Sequence, residues 1–192
     1  MNMHLLDFCT MIINLLCTFL LASFLTIGWP VGILGLIMSS VLFGLAGLYA
    51  DMYLQIILLC FFFYGWFDWS LERSNKSLKP KVFKSLLFWP LIIVTIICFS
   101  FLVAQALITF TDSTTPYLDS FTSVSSLVCV LLAAKKYIEN WFIWIVVDSV
   151  YVFLYIYKDI PFAAITTFVY LIIAIYGYKH WRKCYEEQKL CS

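Results

Sequence analysis

Seven long apolar blocks, parted by short polar or turn-forming breaks, leave this 192-residue chain few folds to choose from. A helix needs about 20 apolar residues to cross ~30 Å of hydrocarbon. Within that layer the backbone has to satisfy its own hydrogen bonds, so such blocks fold as transmembrane helices. The breaks are GWP (28–30), AD (50–51), LERSNKSLKPKVFK (71–84), TDSTTPYLD (111–119), KKYIEN (135–140) and KDIP (158–161). They predict helices over residues 8–27, 29–50, 51–71, 84–110, 119–136, 139–157 and 159–182. Composition agrees: 64% of residues are hydrophobic and 12% charged, too few charges to coat a soluble domain of this size. The expectation is an all-α integral membrane protein with no soluble catalytic domain.

Basic residues orient it. Arg73, Lys76, Lys79, Lys81 and Lys84 lie between the third and fourth blocks, Lys135 and Lys136 between the fifth and sixth, and Lys179, Arg182, Lys183 and Lys189 at or beyond the end of the seventh. With seven spans all of these fall on one side, leaving Lys158 alone on the other. Positive charge stays in the cytoplasm, so the N-terminus is expected outside and the C-terminus inside. The opening MNMHLLDFCTM carries no Lys or Arg before its apolar run and no small-residue cleavage site, so a cleaved signal peptide is not expected. The cysteines, including Cys184 and Cys191 in the tail, are odd in number and form no C-x-x-C pair. Neither a disulfide framework nor a metal site is expected.

The chain also repeats itself. YGWFDW (64–69) returns as YGYKHW (176–181), 112 residues later. The same offset carries Trp29 onto Trp141, and Asp7 and Thr10 onto Asp119 and Thr122. One spacing thus aligns three successive helices, with the fourth as connector: a 3+1+3 parallel repeat. Residues 1–71 form the first three-helix repeat, 72–118 a basic loop plus connector, 119–183 the second repeat, and 184–192 a tail. Parallel repeats about an axis along the membrane normal are a transporter architecture, with the site between the halves near midplane.

Polar residues inside the spans point to that site. Trp141, Trp144, Asp148, Tyr151 and Tyr155 follow one another at spacings of 3, 4, 3 and 4, and so share a helical face. Asp148 lies about nine residues, roughly 13 Å, from the basic side. A carboxylate at that depth is costly and reads as functional. Asp119, Thr122, Ser126 and Cys129 form a stripe on the fifth span, Asp7, Thr10, Asn14 and Thr18 one on the first, and Gln55 follows Asp51 on the third. A shared interior cavity accommodates all of them. Plainer roles compete: Tyr155, Trp69 and Trp181 as interfacial belt residues, Gly28-x-x-x-Gly32 and Ser40-x-x-x-Gly44 as packing faces, Ser and Thr bonding their own helices, and Asp148 paired structurally with Gln55. A carboxylate flanked by indole and phenol faces suits a flat cationic ring.

Three segments, LYADMYLQIILLCFFFYGWFDW (48–69), PYLDSFTSVSSLVCVLLAAKKYIENWFIWIVVDSVYVFLYIYK (116–158) and FVYLIIAIYGYKHW (168–181), resemble the PnuC family of bacterial vitamin transporters. The combination of AD-x-x-LQ, YGW-x-x-W and ENW-x-x-W carries the resemblance. It implies a seven-helix fold similar to that of the SWEET sugar transporters, in the bacterial inner membrane and assembled as a homotrimer. It also implies a uniporter for nicotinamide riboside, facilitated diffusion being followed by intracellular phosphorylation as a trap. Family substrate contacts map to Asn140, Trp141, Trp144 and Asp148 on one helix and Gln55 on another. Tyr151, Ser126, Thr122 and Trp66 complete the candidate site. Val130 stands where many nicotinamide riboside members carry Gln, which keeps thiamine as the runner-up and neutral riboflavin behind it. No cofactor, metal or nucleic acid is expected, and no Walker motif couples the chain to ATP. A membrane-embedded enzyme is the rival of a different class, but the only histidines, His4 and His180, lie at or beyond helix ends.

Overall fold

The computed structural model describes residues 3–47, 49–75, 78–83, 85–110, 115–157 and 161–190. Lys76, Lys84, Lys158 and Cys191, together with parts of the third, fourth and sixth breaks, lie outside the described residues. Seven helices account for most of the rest: α1 (Met3–Ala22), α2 (Gly28–Leu45), α3 (Tyr49–Asn75), α4 (Phe88–Phe110), α5 (Pro116–Ala134), α6 (Glu139–Tyr157) and α7 (Pro161–Leu190). All seven are long and apolar enough to cross a membrane.

Boundaries moved where turn chemistry outweighed hydropathy. The first helix ends at Ala22 rather than 27 because the next residues form a Schellman motif. Phe24 N–H bonds Leu21 O (3.0 Å) and Leu25 N–H bonds Leu20 O (3.0 Å). The second stops at Leu45, short of 50, where Gly47 takes a left-handed φ of 75°. Both α3 and α7 run past their apolar blocks. The α7 extension carries Arg182–Glu186 and Lys183–Glu187 pairs one turn apart, which support a helix in water.

The α1–α2 and α5–α6 turns are built alike at the 112-residue offset. Lys136 N–H bonds Ala133 O (2.9 Å) and Tyr137 N–H bonds Leu132 O (2.8 Å), a second Schellman motif. Phe24 (φ 58°) and Lys136 (φ 66°) occupy its left-handed position, which costs a residue with a Cβ about 1–2 kcal/mol. Their side chains offset that cost. The Phe24 ring lies 4.9 Å from Trp69 and 4.8 Å from Trp181, centroid to centroid. The fully buried Lys136 Nζ lies 2.6 Å from Asp68 and 2.5 Å from Glu72.

Helices α1, α2 and α3 pack as one group and α5, α6 and α7 as another. The groups meet through α3 on α5 and α1 on α7, while α4 lies against α5 and reaches α6 through Trp89, whose ring meets Phe142 at 5.3 Å. Four tryptophans form the centre of the junction. Trp29–Trp69, Trp69–Trp181 and Trp181–Trp141 lie 5.6, 5.7 and 5.7 Å apart. Trp69 and Trp181, which the sequence would place in an interfacial belt, are instead fully buried and tie the groups reciprocally. Trp69 Nε1 donates to Ala134 O (3.0 Å) and Ala133 O (3.2 Å), and Trp181 Nε1 donates to Leu21 O (3.0 Å). Each indole thus caps the carbonyl end of a helix from the other group, a role open to it because the YGxxxW helices cross the junction there. The ring of Trp29 rests on Gly65 and that of Trp141 on Gly177, where a Cβ would lie 2.7 Å from the Trp141 indole.

The third break is stitched to the α5–α6 turn. Lys81 N–H donates to Lys136 O (2.8 Å), Ile138 N–H to Lys81 O (2.9 Å), and Phe83 N–H to the buried Glu139 Oε1 (2.8 Å).

Candidate functional site

Six helices, all but α4, enclose a cavity of about 280 Å³ at the junction of the two groups. Its walls come largely in pairs 112 residues apart: Asn14 with Ser126, Thr18 with Val130, Gly32 with Trp144, Leu36 with Asp148, Leu58 with Tyr170, and Phe62 with Ala174. The members of a pair seldom match in chemistry. The α5–α7 side supplies the carboxylate, the indole of Trp144 and the phenol of Tyr170. The α1–α3 side answers with glycine and leucine, and sets its polar groups, Asn14, Thr18 and Gln55, elsewhere on the wall.

Asp148 is the middle residue of α6 and is 7% exposed. It has no hydrogen-bond or ion-pair partner among the described residues, and Gln55, although it lines the same cavity, does not bond it. A buried carboxylate without a partner is strongly disfavoured unless a ligand or water completes it. Trp144 is half-buried beside it. Trp141 is 3% exposed, and its Nε1–H is buried with no acceptor among the described residues, as is that of Trp29 at the related position. Asn14 donates through Nδ2 to Ser39 Oγ (3.2 Å). The hydroxyls of Thr18 and Ser126 donate back to Asn14 O (2.9 Å) and Thr122 O (2.8 Å), leaving their lone pairs as acceptors.

Of the nine residues singled out from sequence, Asp148, Trp144, Trp141, Gln55 and Ser126 line this cavity. Four do not. Asn140 is fully buried in the α5–α6 turn, where Nδ2 donates to Tyr137 O (2.6 Å) and holds the turn together. Thr122 bonds back to Leu118 O (3.0 Å) and Asp119 O (2.9 Å), one turn before Ser126 on α5 and off the cavity wall. Tyr151 stacks on Tyr155 (5.4 Å, 11°), further along α6 than Asp148. Trp66 is 41% exposed on the outer face of α3, because Gly65 is the residue that turns inward against Trp29. Asn14 and Thr18 were visible as a polar stripe. Gly32, Leu36, Leu58, Phe62, Tyr170 and Ala174 escaped because single apolar or aromatic residues in a span carry no signal. Their 112-residue partners were the one clue.

Between the cavity and the basic side lie the tryptophans, backed by the Lys136 ion cluster. Lys135 adds a weaker contact to Asp68 (3.5 Å) and sits 4.8 Å over the Tyr64 ring. The cavity is therefore closed toward that side by aromatic packing and by an ion pair between the two groups.

The profile of a family described as nicotinamide mononucleotide transporter matches residues 4–183. The nicotinamide riboside transporter PnuC of Escherichia coli (strain K12) is 23% identical over 175 residues, covering 78% of this chain and 73% of the relative. That of Haemophilus influenzae is 28% identical over 124 residues, covering 63% of this chain and 54% of the relative. Among solved structures, the crystal structure of the vitamin B3 transporter PnuC superposes with a TM-score of 0.74 at 22% identity, covering 93% of this chain and 80% of that one. At that identity the superposition establishes the fold.

Proposed function

The chain belongs to the nicotinamide mononucleotide transporter family, and on that premise we propose that it carries nicotinamide riboside across the inner membrane by facilitated diffusion. The observation that carries this reading is Asp148: a buried, unpartnered carboxylate beside Trp144, on the wall of a cavity shared by both helix groups. The pyridinium ring of the riboside is flat and cationic, so Trp144 supplies a stacking face and Asp148 the counter-charge. The cavity is near the lower end of the ~300–1,000 Å³ range of small-molecule sites, in keeping with a nucleoside.

The nucleoside is favoured over the mononucleotide by charge. Among the described residues no Lys, Arg or His lines the cavity, so a phosphate would be desolvated beside Asp148 with nothing there to offset it. The same chemistry makes trapping effective, since a vitamin phosphorylated in the cell is refused on the way back. The names of the curated relatives favour the riboside over thiamine, and neutral riboflavin gains nothing from Asp148.

Residues 1–71 and 119–183 act as the two rocking repeats of a SWEET-like carrier, with 72–118 as loop and connector. The matched turns and reciprocal tryptophan bonds support that division. The basic side is the cytoplasm, with the N-terminus outside, so the arrangement described is closed inward. The assembly is a homotrimer, for which light scattering of the detergent-solubilised protein is the test.

Purified protein in liposomes should equilibrate labelled nicotinamide riboside saturably and leave nicotinamide mononucleotide outside. Equal entry of the two, or preferential entry of thiamine, would discard the charge argument. Chemical turnover without transport would revive the enzyme.

A further inference from the structure

Recognition of a planar cation accounts for only one side of the cavity. The other side carries an amide held in a fixed pose. Asn14 Nδ2 donates one hydrogen to Ser39 Oγ at 3.2 Å. Its carbonyl end lies over Gly35, where a Cβ would collide with Oδ1 and come within 3.2 Å of Cγ. Gly35 therefore leaves the space that the amide occupies, and Ser39, one turn further along α2, sets its rotation. What Asn14 still offers is a second N–H and the lone pairs of Oδ1, a donor and an acceptor about two ångströms apart on one planar group. That is the pattern that meets two neighbouring hydroxyls, one accepting and one donating. Nothing on the related α5 position repeats it, because Ser126 spends its only hydrogen on Thr122 O.

Resting on the reading that the ligand is a nicotinamide nucleoside, we propose that Asn14 is the residue that selects for the sugar, binding its vicinal hydroxyls while Asp148 and Trp144 hold the ring. Ser39 is a positioning residue for Asn14. The ligand then lies across the cavity with its charged ring toward α6 and its hydroxyls toward α1. A pyridinium lacking one of the hydroxyls would leave half of a pre-set amide unpaired, and sites of this kind reject such analogues strongly.

The test is equilibrium binding to the full chain in detergent, with nicotinamide riboside and its 2′-deoxy analogue as ligands. The native protein should prefer the riboside by roughly tenfold, about what one or two hydrogen bonds supply. In Asn14→Val the two ligands should bind alike, no tighter than the native protein binds the deoxy analogue, and measurable binding also shows that the site is intact. Ser39→Ala should narrow the preference to about threefold through misorientation of the amide. An unchanged preference in Asn14→Val overturns the proposal. If that variant binds neither ligand, Ser39→Ala decides: a narrowed preference supports the assignment and an unchanged one overturns it. Failure of the native protein to bind either ligand would instead remove the nucleoside reading, and this inference with it.

Discussion

Helices α2 and α6 begin in the same way and end with different work. Trp29 and Trp141 each donate their backbone N–H three residues back, to Thr26 O (3.2 Å) and Ile138 O (3.1 Å). Each lays its ring on a glycine 36 residues later, Gly65 or Gly177, and each leaves its indole N–H unpaired. One turn on, the helices part company. Gly32 makes room where Trp144 fills it, and Leu36 is inert where Asp148 carries a carboxyl group. The turns before them show the same pattern. Phe24 slots between two tryptophans, whereas Lys136 takes the equivalent backbone conformation and grips Asp68 and Glu72. The residues corresponding to Asp68 and Glu72 are His180 and Cys184, which face each other at 3.8 Å. Positions that kept their residue across the 112-residue offset hold the framework. Those that diverged line the cavity or form the ion cluster.

The sharpest way to break this comparison is to move the charge across it. Asp148→Leu should lower nicotinamide riboside binding about 100-fold, the scale expected when one partner of a buried ionic contact is lost. Adding Leu36→Asp should recover much of that affinity, since the two positions face the cavity from related helices. Titration calorimetry on both variants checks this, and a double variant as weak as the single one would mean that the two walls are not interchangeable.

A smaller effect is expected at the turns. Lys136→Met removes the ammonium that joins α3 to the α5–α6 turn, and should raise the initial rate of vitamin equilibration in liposomes several-fold by loosening the closed side. Phe24→Leu, at the related position, keeps an apolar plug and should change the rate less than twofold. Both figures correspond to ~1 kcal/mol or less in the barrier. Equal rates in the two variants would indicate that the ion cluster is structural only.

The framework positions should respond alike. Gly65→Ala and Gly177→Ala each force a methyl into an indole ring, and overpacking of this kind costs about 1–3 kcal/mol. Thermal unfolding midpoints in detergent should fall by similar amounts for both. A drop confined to one would show that the two tryptophan–glycine contacts are not equivalent.

Much of this protein was written in local pattern. Apolar block length specified seven spans, because hydrocarbon thickness admits few other solutions. The recurrence of Trp, Gly and Tyr at one offset exposed the related helices, and the depth of Asp148 marked it as costly before any neighbour was known. Helical period tells which residues share a face, but not what that face meets. That is why Asn140, Thr122, Tyr151 and Trp66 share sequence neighbourhoods with the cavity without lining it, and why Trp69 and Trp181 could be mistaken for belt residues. Only long-range packing brought Tyr170 and Ala174 of α7 around one cavity with Leu58 and Phe62 of α3, or put Phe24 and Lys136 into strained turns stabilised by partners from distant helices. The spans follow from solvent and backbone chemistry acting residue by residue. The site exists only once two sets of three helices press together and leave a space that neither encloses alone.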